Sequence, residues 1–351
     1  MKVRFYAVLF ALTSILSATA QDIHFSQFYA SPLTLNPALT GNFNGFYRIT
    51  GIYRNQYPGL TENKPAFSTP SVSADLSLLR EKLKTGALGV GLVFINDQQN
   101  GKTFNQNQIL LSLAYNMTFG KNQVVQLGVG LQGGLAMTKM DFSNFKFNDG
   151  FNADLSYNNS YNGETFNSGN RMKGVFNAGI FTKFNFTKAA RFYVGYSFNN
   201  ATNYKQDFLK NSPQTYRLPF RHTLHGGFEF DIKDAAVIIP GFLFQSQAKA
   251  NEGNFGLTAG IHVVKDPAKR ATLFLGLWNR LNTKNYTIIP KIGFEYKGFR
   301  AGFAYDAHLL QQYKDHKNIG GGMPQGFEIT LSYIGNIFTP KEDNYLFNPR
   351  Y

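Results

Sequence analysis

Apolar and polar residues alternate along much of this chain, and the stretch Val124–Gly134 shows the pattern clearly. Val125, Leu127, Val129 and Leu131 would lie on one face of an extended strand. The glycine and glutamine residues between them would lie on the other face, because successive side chains of a strand point in opposite directions. The pattern therefore predicts a sheet that separates an apolar environment from a polar one.

About fourteen segments downstream of Phe46 have this strand character, an even number, as in bacterial single-chain outer-membrane barrels. The clearest segments are 192–199, 254–263, 299–306 and 327–333. The last of them alternates aromatic and aliphatic residues with polar ones. This arrangement resembles the terminal signal by which outer-membrane assembly machines recognise barrels.

The predicted connections between these strands alternate in length. Longer polar segments fall at one end of the predicted sheet: Asn55 to Ala66, Asp97 to Lys102, Asp141 to Asn170, Thr202 to Gln214, Gln247 to Gly253 and His308 to Gly320. Shorter ones fall at the other: Leu79 to Thr85, Gly120 to Asn122, Thr187 to Ala189, Lys233 to Asp234, Lys265 to Ala268 and Lys297 to Gly298. A barrel has long outer loops and short periplasmic turns, whereas a soluble β-sandwich has no reason to keep this alternation.

Composition agrees with a membrane barrel. The 351 residues include 16% aromatic residues and 34 glycines, and the mean hydropathy is only -0.25. A transmembrane strand needs apolar residues at every second position alone, so the average hydropathy stays low. After Gln21 the sequence has no apolar run of about 18 residues, the length that a transmembrane helix requires.

The N-terminus indicates export. Lys2 and Arg4 precede the apolar run Phe5–Leu16, and Ala18–Ala20 supplies a small-residue cleavage site, as in a secretory signal peptide. The chain has no cysteine, which excludes disulfides, thiolate metal sites and a lipoprotein anchor.

The formal net charge of +14 indicates that the chain binds acidic partners. The basic residues are scattered through predicted strands and turns of an exported chain, and this distribution favours lipid phosphates at the membrane rims, acidic glycans or an acidic partner. We therefore expect outer-membrane lipid as a partner and no nucleic acid.

Two stretches resemble ligand-binding motifs, one for a dinucleotide and one for calcium, but the residues around them do not match either motif. Gly128, Gly130 and Gly133 have G-x-G-x-x-G spacing, but they lie inside the strand alternation and no helix pattern follows them. The acidic residues of 141–170 lack the spacing of a calcium loop, which favours a solvated outer loop. We expect no cofactor and no metal.

An outer-membrane hydrolase would need a serine beside a histidine base held by a third polar group. His225, Glu229 and Asp231 share the inward face of one predicted strand, and a weak hypothesis places a lipid hydrolase site at His225. The chain has no G-x-S-x-G motif, and inward polar residues normally line a barrel lumen. We therefore predict no catalytic residue.

The segment 21–60 precedes the barrel or begins it. Asn36-Pro37 and Thr40-Gly41 are turn signals. Apolar side chains that must be buried lie around them: Phe25, Phe28, Tyr29, Leu33, Leu35 and Leu39. Because a short turn-rich segment usually packs on its own domain, we expect a strap or plug, with partner binding as the alternative.

The same residues resemble the opening of the PorP/SprF family of outer-membrane proteins. The family motifs Q-D-x-x-F-S-Q-[YF]-Y, x-N-P-A-x-x-G and Y-R-x-Q-[WY]-P correspond to Gln21–Tyr29, Asn36–Gly41 and Tyr53–Pro58. Ala301–Asp306 and Gly326–Tyr333 are similar to the closing strands of the family, and the terminal residues 349–351 also look familial.

The resemblance implies a non-enzymatic outer-membrane component of the type IX secretion and gliding-motility apparatus. Members retain secreted adhesins or other cargo at the cell surface, or link the periplasmic secretion ring to the outer membrane through a peptidoglycan-binding protein. The residues expected to bind such partners are Phe25, Gln27, Tyr29, Asn36, Pro37, Arg54, Gln56 and Arg350.

We therefore predict an all-β protein: a transmembrane antiparallel β-barrel of about fourteen strands in the cell outer membrane. The predicted parts are a signal peptide (1–20), a periplasmic strap or plug (21–45), the barrel (46–337) and a periplasmic C-terminal tail (338–351). The alternative function is a passive porin or small-solute transporter, because the inward glycine, asparagine, glutamine and serine residues could leave a watery lumen.

Overall fold

The computed structural model describes the residues 23–57, 66–80, 83, 86–99, 103–120, 124–141, 170–187, 189–205, 217–233, 235–248, 250–264, 271–282, 286–308 and 325–336. The predicted signal peptide, the loop 142–169 with most of its acidic residues and the predicted C-terminal tail lie outside the described residues. Fourteen strands account for most of the described chain. They are β1 (Tyr47–Gln56), β2 (Phe67–Leu78), β3 (Gly86–Gln99), β4 (Phe104–Phe119), β5 (Val125–Met140), β6 (Asn170–Asn185), β7 (Ala190–Asn199), β8 (Arg221–Ile232), β9 (Ala236–Gln247), β10 (Ala250–Val264), β11 (Ala271–Asn282), β12 (Tyr286–Tyr296), β13 (Phe299–His308) and β14 (Gln325–Gly335).

The strands form one closed antiparallel barrel. Each strand pairs with its neighbours in sequence, and β1 closes the barrel by pairing with β14 from Tyr47 opposite Gly335 to Gln56 opposite Gly326. Closure pairs every strand on both sides, so the backbone groups of the sheet are satisfied without an open edge. The predicted all-β barrel of fourteen strands is confirmed.

Side chains alternate between the two faces as the sequence pattern predicts. In β5, Leu131 is 55% exposed on the outer face, whereas Gln126 and Gln132 are buried inside the barrel. In β7, Tyr196 lies outside, while Ser197 is buried inside. The apolar side chains therefore face the lipid, and the polar side chains face the interior of the barrel.

Aromatic side chains concentrate near both ends of the barrel wall. Phe192 and Phe228 have ring centroids 4.9 Å apart near the end with the short turns. Phe198 and Phe220 have centroids 5.2 Å apart at the opposite end. Rings in these positions suit the two membrane–water interfaces of an outer-membrane barrel.

The connections follow the predicted alternation with two corrections. The predicted loop Gln247 to Gly253 is wrong, because β9 continues to Gln247 and β10 begins at Ala250, with Ala248 turning the chain at φ +53°. The polar letters that suggested a loop are inward strand positions, since Glu252 is buried in the lumen. The predicted loop from Asp97 is also too long, because β3 extends to Gln99.

A further connection, 283–285, was not predicted; it joins β11 to β12 at the end that carries the longer loops. We call this the long-loop end, and the opposite end, with Lys297 and Gly298 between β12 and β13, the short-turn end. Within the described chain, no helix has the length and apolar character needed to span a bilayer.

Candidate functional site in the barrel lumen

The residues 23–46, here called the luminal segment, occupy the interior of the barrel. Their backbone makes two 3-10 turns, Phe28–Ala30 and Pro37–Leu39, on either side of one helical turn, α1 (Pro32–Leu35). The apolar side chains that the sequence marked for burial are buried: Phe25, Phe28, Tyr29, Leu33, Leu35 and Leu39. Pro32 and Pro37 begin the second and third of these turns, and their fixed φ stabilises such short turns.

The luminal segment crosses the barrel from one end to the other. At the long-loop end, Arg221 in the first position of β8 donates a hydrogen bond of 2.9 Å to the Ile23 carbonyl. At the short-turn end, the Phe46 N–H donates to the carbonyl of Gly335, the last residue of β14, at 2.8 Å. The described part of the predicted strap or plug therefore fills the lumen and does not lie across the periplasmic mouth as a strap.

A buried charge cluster holds the beginning of the segment. Both carboxylate oxygens of Glu328 accept backbone hydrogen bonds, from Ser26 N–H at 2.5 Å and from Gln27 N–H at 2.8 Å. The Ser26 hydroxyl donates to Asp306 at 2.6 Å, and Lys291 Nζ donates to the Ser26 carbonyl at 2.6 Å. The backbone of these two residues is thus bonded to β14 and β12, and the Ser26 hydroxyl adds a bond to β13.

Two arginines complete the charge cluster. Arg280 pairs with Asp306 at 2.9 Å and also donates to the Ser26 hydroxyl. Arg54 lies 3.3 Å from Asp306 and 3.4 Å from Glu328, and it donates to the carbonyl of His24. Buried ions of this kind are tolerated when opposite charges and hydrogen bonds compensate each other, which ties the segment to a fixed position.

His24 completes the cluster from the segment side, with its Nε2 3.5 Å from Glu252. Burial lowers the pKa of His24 to about 4; Arg54 and Arg280 act in the same direction, while Glu252 and Asp306 oppose the shift. The imidazole is therefore neutral at physiological pH.

An aromatic core forms below the charge cluster. Phe28 packs edge-on against Trp278 with ring centroids 5.3 Å apart, and Tyr29 packs edge-on against Tyr193 at 5.6 Å. The Lys291 ammonium lies 4.3 Å from the Trp278 ring centre, which adds a cation–π attraction. This core leaves the middle of the lumen filled with side chains.

Asn36 anchors the middle of the segment to three consecutive strands. Its Nδ2 atom donates to the carbonyls of Ile180 at 3.0 Å and Tyr196 at 3.3 Å and lies 3.1 Å from His225 Nε2. Its Oδ1 atom accepts from the Ala38 N–H at 2.9 Å, which caps the second 3-10 turn. The Asn36 side chain therefore uses both ends at once, and an aspartate could not replace its donors.

Inward glycines make room for this turn of the segment. A Cβ added at Gly130 would clash with Pro37 and Ala38, one at Gly179 would clash with Asn36, and one at Gly89 would clash with Thr40. Gly128 also lies against the segment backbone, at the Ala38 carbonyl, while Gly91 and Gly195 lie against the side chains of Leu33 and Asn36. A side chain at any of these positions would overlap its neighbours, so the glycines form a track for the segment.

The end of the segment is fixed at the short-turn end. Asp75 accepts the Gly41 N–H at 2.8 Å and makes a bidentate pair with Arg48, whose Nη2 also donates to the Leu39 carbonyl at 3.1 Å. Arg80 donates to the carbonyl of Phe43 at 2.5 Å. Bidentate arginine–carboxylate pairs are directional, so they fix the direction in which the segment leaves the lumen and enters β1.

A cavity of about 30 Å³ lies beside Ile23 at the long-loop end. Amide side chains dominate its lining: Gln108, Gln132, Asn177, Asn199 and Asn200. Gln132 and Asn177 bond to each other at 2.8 Å, and Gln132 donates to the Leu33 carbonyl at 3.0 Å. A cavity of this size and polarity has room for ordered water.

The structure places seven of the eight predicted partner-binding residues, and Arg350 lies outside the described residues. Phe25, Gln27, Tyr29, Asn36, Pro37 and Arg54 are buried, and Gln56 is half-buried at the long-loop end of β1. In the structure their contacts are with the barrel's own inner wall or with the luminal segment. Their described role is to hold that segment.

The hypothetical hydrolase residues also serve the lumen. His225 accepts from Asn36, while Glu229 and Asp231 pair with Arg191 at 2.7 Å and 2.6 Å. The predicted shared inward face is correct, but the acidic residues bond to an arginine and not to His225. Among the described residues, no group of three potential metal ligands comes together.

Sequence reasoning missed the charge cluster. Its members are Arg54, Glu252, Arg280, Lys291, Asp306 and Glu328, from the five consecutive strands β10–β14 and from β1, which closure of the barrel places beside β14. The available signal was one or two charged residues at inward positions in each of these strands. Only the register between the strands shows that these positions lie at one depth.

The closed barrel, its apolar exterior and its two aromatic ends define an outer-membrane β-barrel with an occupied lumen. A family model described as type IX secretion system membrane protein PorP/SprF matches residues 17–333. The chain belongs to the PorP/SprF family and is an outer-membrane component of the type IX secretion system. The resemblance seen in the sequence is thereby confirmed, as is the outer-membrane location.

Solved structures show the same fold at low sequence identity. A Pseudomonas aeruginosa FadL homologue aligns with a TM-score of 0.52 and 11% identity over 85% of this chain and 92% of that chain. The monoaromatic hydrocarbon channel CymD aligns at 0.48 and 12% over 86% and 91%, and the P. putida toluene transporter TodX at 0.47 and 10% over 87% and 93%. Comparison with curated proteins gives no match.

Proposed function

We propose that this protein is a non-enzymatic, non-conducting anchor that retains a secreted protein of the type IX pathway at the cell surface. The observation that supports the proposal is the occupied lumen. The luminal segment is bonded to the wall at the long-loop end by Glu328, in the middle by Asn36 and at the short-turn end by Asp75. A barrel filled in this way offers its two ends for attachment and no path for a solute.

A family role in linking the periplasmic ring to the outer membrane through a peptidoglycan-binding protein would use the opposite, short-turn end. We favour the surface role because the larger connections, including 142–169 and 309–324, belong to the long-loop end. Long outer loops are where outer-membrane barrels carry their specific contacts. The described residues of the short-turn end leave only compact turns such as Lys297–Gly298.

Deletion of the gene tests the proposal. The surface adhesin should be lost from whole cells and recovered from the medium, while proteins that the same pathway releases are still secreted. Restoring the intact chain should restore display. If display and secretion both stay normal, the anchor role is wrong, and if secretion of all cargo stops, the role lies in the secretion machine itself.

A further inference from the structure

We infer that the luminal segment enters the barrel from the cell-surface end, so that the chain at Ile23 meets partners outside the cell and not partners in the periplasm. The inference goes beyond the proposed anchor role and does not depend on it. It reverses the orientation that the sequence suggested for this segment, in which the strap lay on the periplasmic side.

The first contacts of the segment fix its starting point. The Ile23 carbonyl is held by Arg221, the first residue of β8, and His24 lies against Glu252, the third residue of β10. Both strands begin at the long-loop end, because each follows a long-loop-end connection and runs toward the short turns. Ile23 therefore lies at the mouth that carries the longer loops.

Later contacts descend through the barrel without turning back. Asn36 bonds to the wall beside Ile180 and Tyr196 in the middle of β6 and β7. Gly41 then bonds to Asp75, three residues before the end of β2, and Phe46 reaches Gly335. The twenty-four residues of the luminal segment, with their three helical turns, thus cross the lumen once.

The direction of this crossing follows from the barrel itself. Outer-membrane barrels place their short turns in the periplasm and their longer loops outside. The strand β1 starts at Tyr47 on the short-turn side, as a barrel with a periplasmic start requires. The luminal segment runs antiparallel to β1 through the interior, which carries the chain at Ile23 back to the outer mouth.

This path decides which class of partner can touch the beginning of the segment. A periplasmic protein would have to pass the aromatic core around Phe28 and Trp278 to reach it. A secreted or surface-bound protein approaches it directly, beside the cavity lined by Gln108 and Asn199. The lining there combines amide side chains and Arg221 with the apolar side chains of Ile23, Ile95 and Leu110. A peptide chain can bond to the polar groups and pack on the apolar ones.

Single-cysteine labelling tests the inference without background, because the chain contains no cysteine. Three variants are expressed in the native outer membrane: Ile23→Cys, Ala248→Cys as the control at the long-loop end, and Lys297→Cys as the control at the short-turn end. Intact cells are treated with a charged, membrane-impermeant thiol reagent that is too large to pass through outer-membrane porins. The same measurement is made after the outer membrane has been permeabilised.

Ile23→Cys should react on intact cells, as Ala248→Cys does, while Lys297→Cys should react only after permeabilisation. Ile23 is half-buried, so an epitope inserted after Gln21 provides a second readout with an antibody on intact cells. Each variant is first shown to be folded by its faster migration in unheated detergent gels. If the folded protein gives epitope and thiol signals only after permeabilisation, the inference is wrong. Neither readout depends on display of the adhesin, so the result is independent of the proposed anchor role.

Discussion

Arg54 and Glu328 lie directly opposite each other where the first and last strands of the barrel meet, and both hold the same turn of the luminal segment. Arg54 donates to the His24 carbonyl, and Glu328 accepts the backbone N–H groups of Ser26 and Gln27. The seam of the barrel is therefore bridged twice, by strand pairing and through the lumen. The segment acts as an internal brace between the two ends of the chain.

The bridge predicts that Glu328→Gln destabilises the folded barrel by about 3–5 kcal/mol, because removal of one buried partner leaves opposite charges uncompensated. The NH2 group of the glutamine would also point at one of the two backbone N–H groups that Glu328 accepts, so two hydrogen-bond donors would face each other. The free energy of unfolding in urea, followed by gel migration of unheated samples, measures the effect. Glu295→Gln is the matched control.

Glu295 pairs with Arg300 at 3.1 Å near the short-turn rim, where both side chains are partly exposed. Loss of such a pair should cost less than about 1 kcal/mol. Equal destabilisation by the two variants would show that the charge cluster contributes no more than a rim ion pair.

The glycine track predicts opposite outcomes for two substitutions in β5. Gly130→Ala should destabilise the barrel by about 1–3 kcal/mol, since the new methyl group would overlap the backbone of Pro37 and Ala38. Gly133→Ala places its methyl group on the outer face, where the nearest atom is 3.8 Å away, and should be neutral or slightly stabilising. Urea midpoints of the two variants give the comparison, and a neutral Gly130→Ala would contradict the track.

The strands and their two faces could be predicted because alternation of apolar and polar residues is a local property. Val129 and Leu131 reveal their orientation through their immediate neighbours. The polar stretch 247–253 misled for the same reason, since inward polar residues such as Glu252 resemble loop residues when the lumen partner is unknown.

The location of the luminal segment could not be predicted in the same way. Apolar residues such as Phe28 and Leu39 show that a surface must be covered, but not whether it is the rim or the interior of the barrel. The inward glycines carried the missing information. Gly89, Gly130 and Gly179 lie in one row across β3–β6, with Ala114 of β4 between the first two, and would have indicated close approach of another part of the chain once the register was known.

Acid should weaken the attachment of the segment through His24. The pKa of His24 is lowered to about 4 by burial, with Arg54 and Arg280 adding to the shift and Glu252 and Asp306 opposing it. In the unfolded chain the group titrates near 6.5, so the unfolded state binds more protons between these values. Stability contributed by neutral His24 is complete above pH 6.5 and is lost as the pH falls toward 4.

Thermal unfolding of the wild-type protein and of His24→Gln across pH 4–7 isolates this contribution. Between pH 4 and pH 6.5 the free energy of unfolding of the wild-type protein should rise by about 2–3 kcal/mol more than that of His24→Gln. Above pH 6.5 the difference between the two proteins should stay constant. Parallel curves for wild-type protein and His24→Gln would exclude a role for this histidine.

The filled lumen predicts that the purified protein forms no stable open channel in a planar bilayer. Trp278 and Phe28 close the middle of the interior, and Asn36, Glu328 and Asp75 fix the segment at three depths. Thermal motion of single side chains cannot open such a path, because a pore requires the whole segment to leave its bonds. Current recordings should therefore show only baseline, like recordings with heat-denatured protein. Steady unitary steps from folded protein would mean that the segment can leave the lumen and would favour the transporter alternative over a fixed anchor.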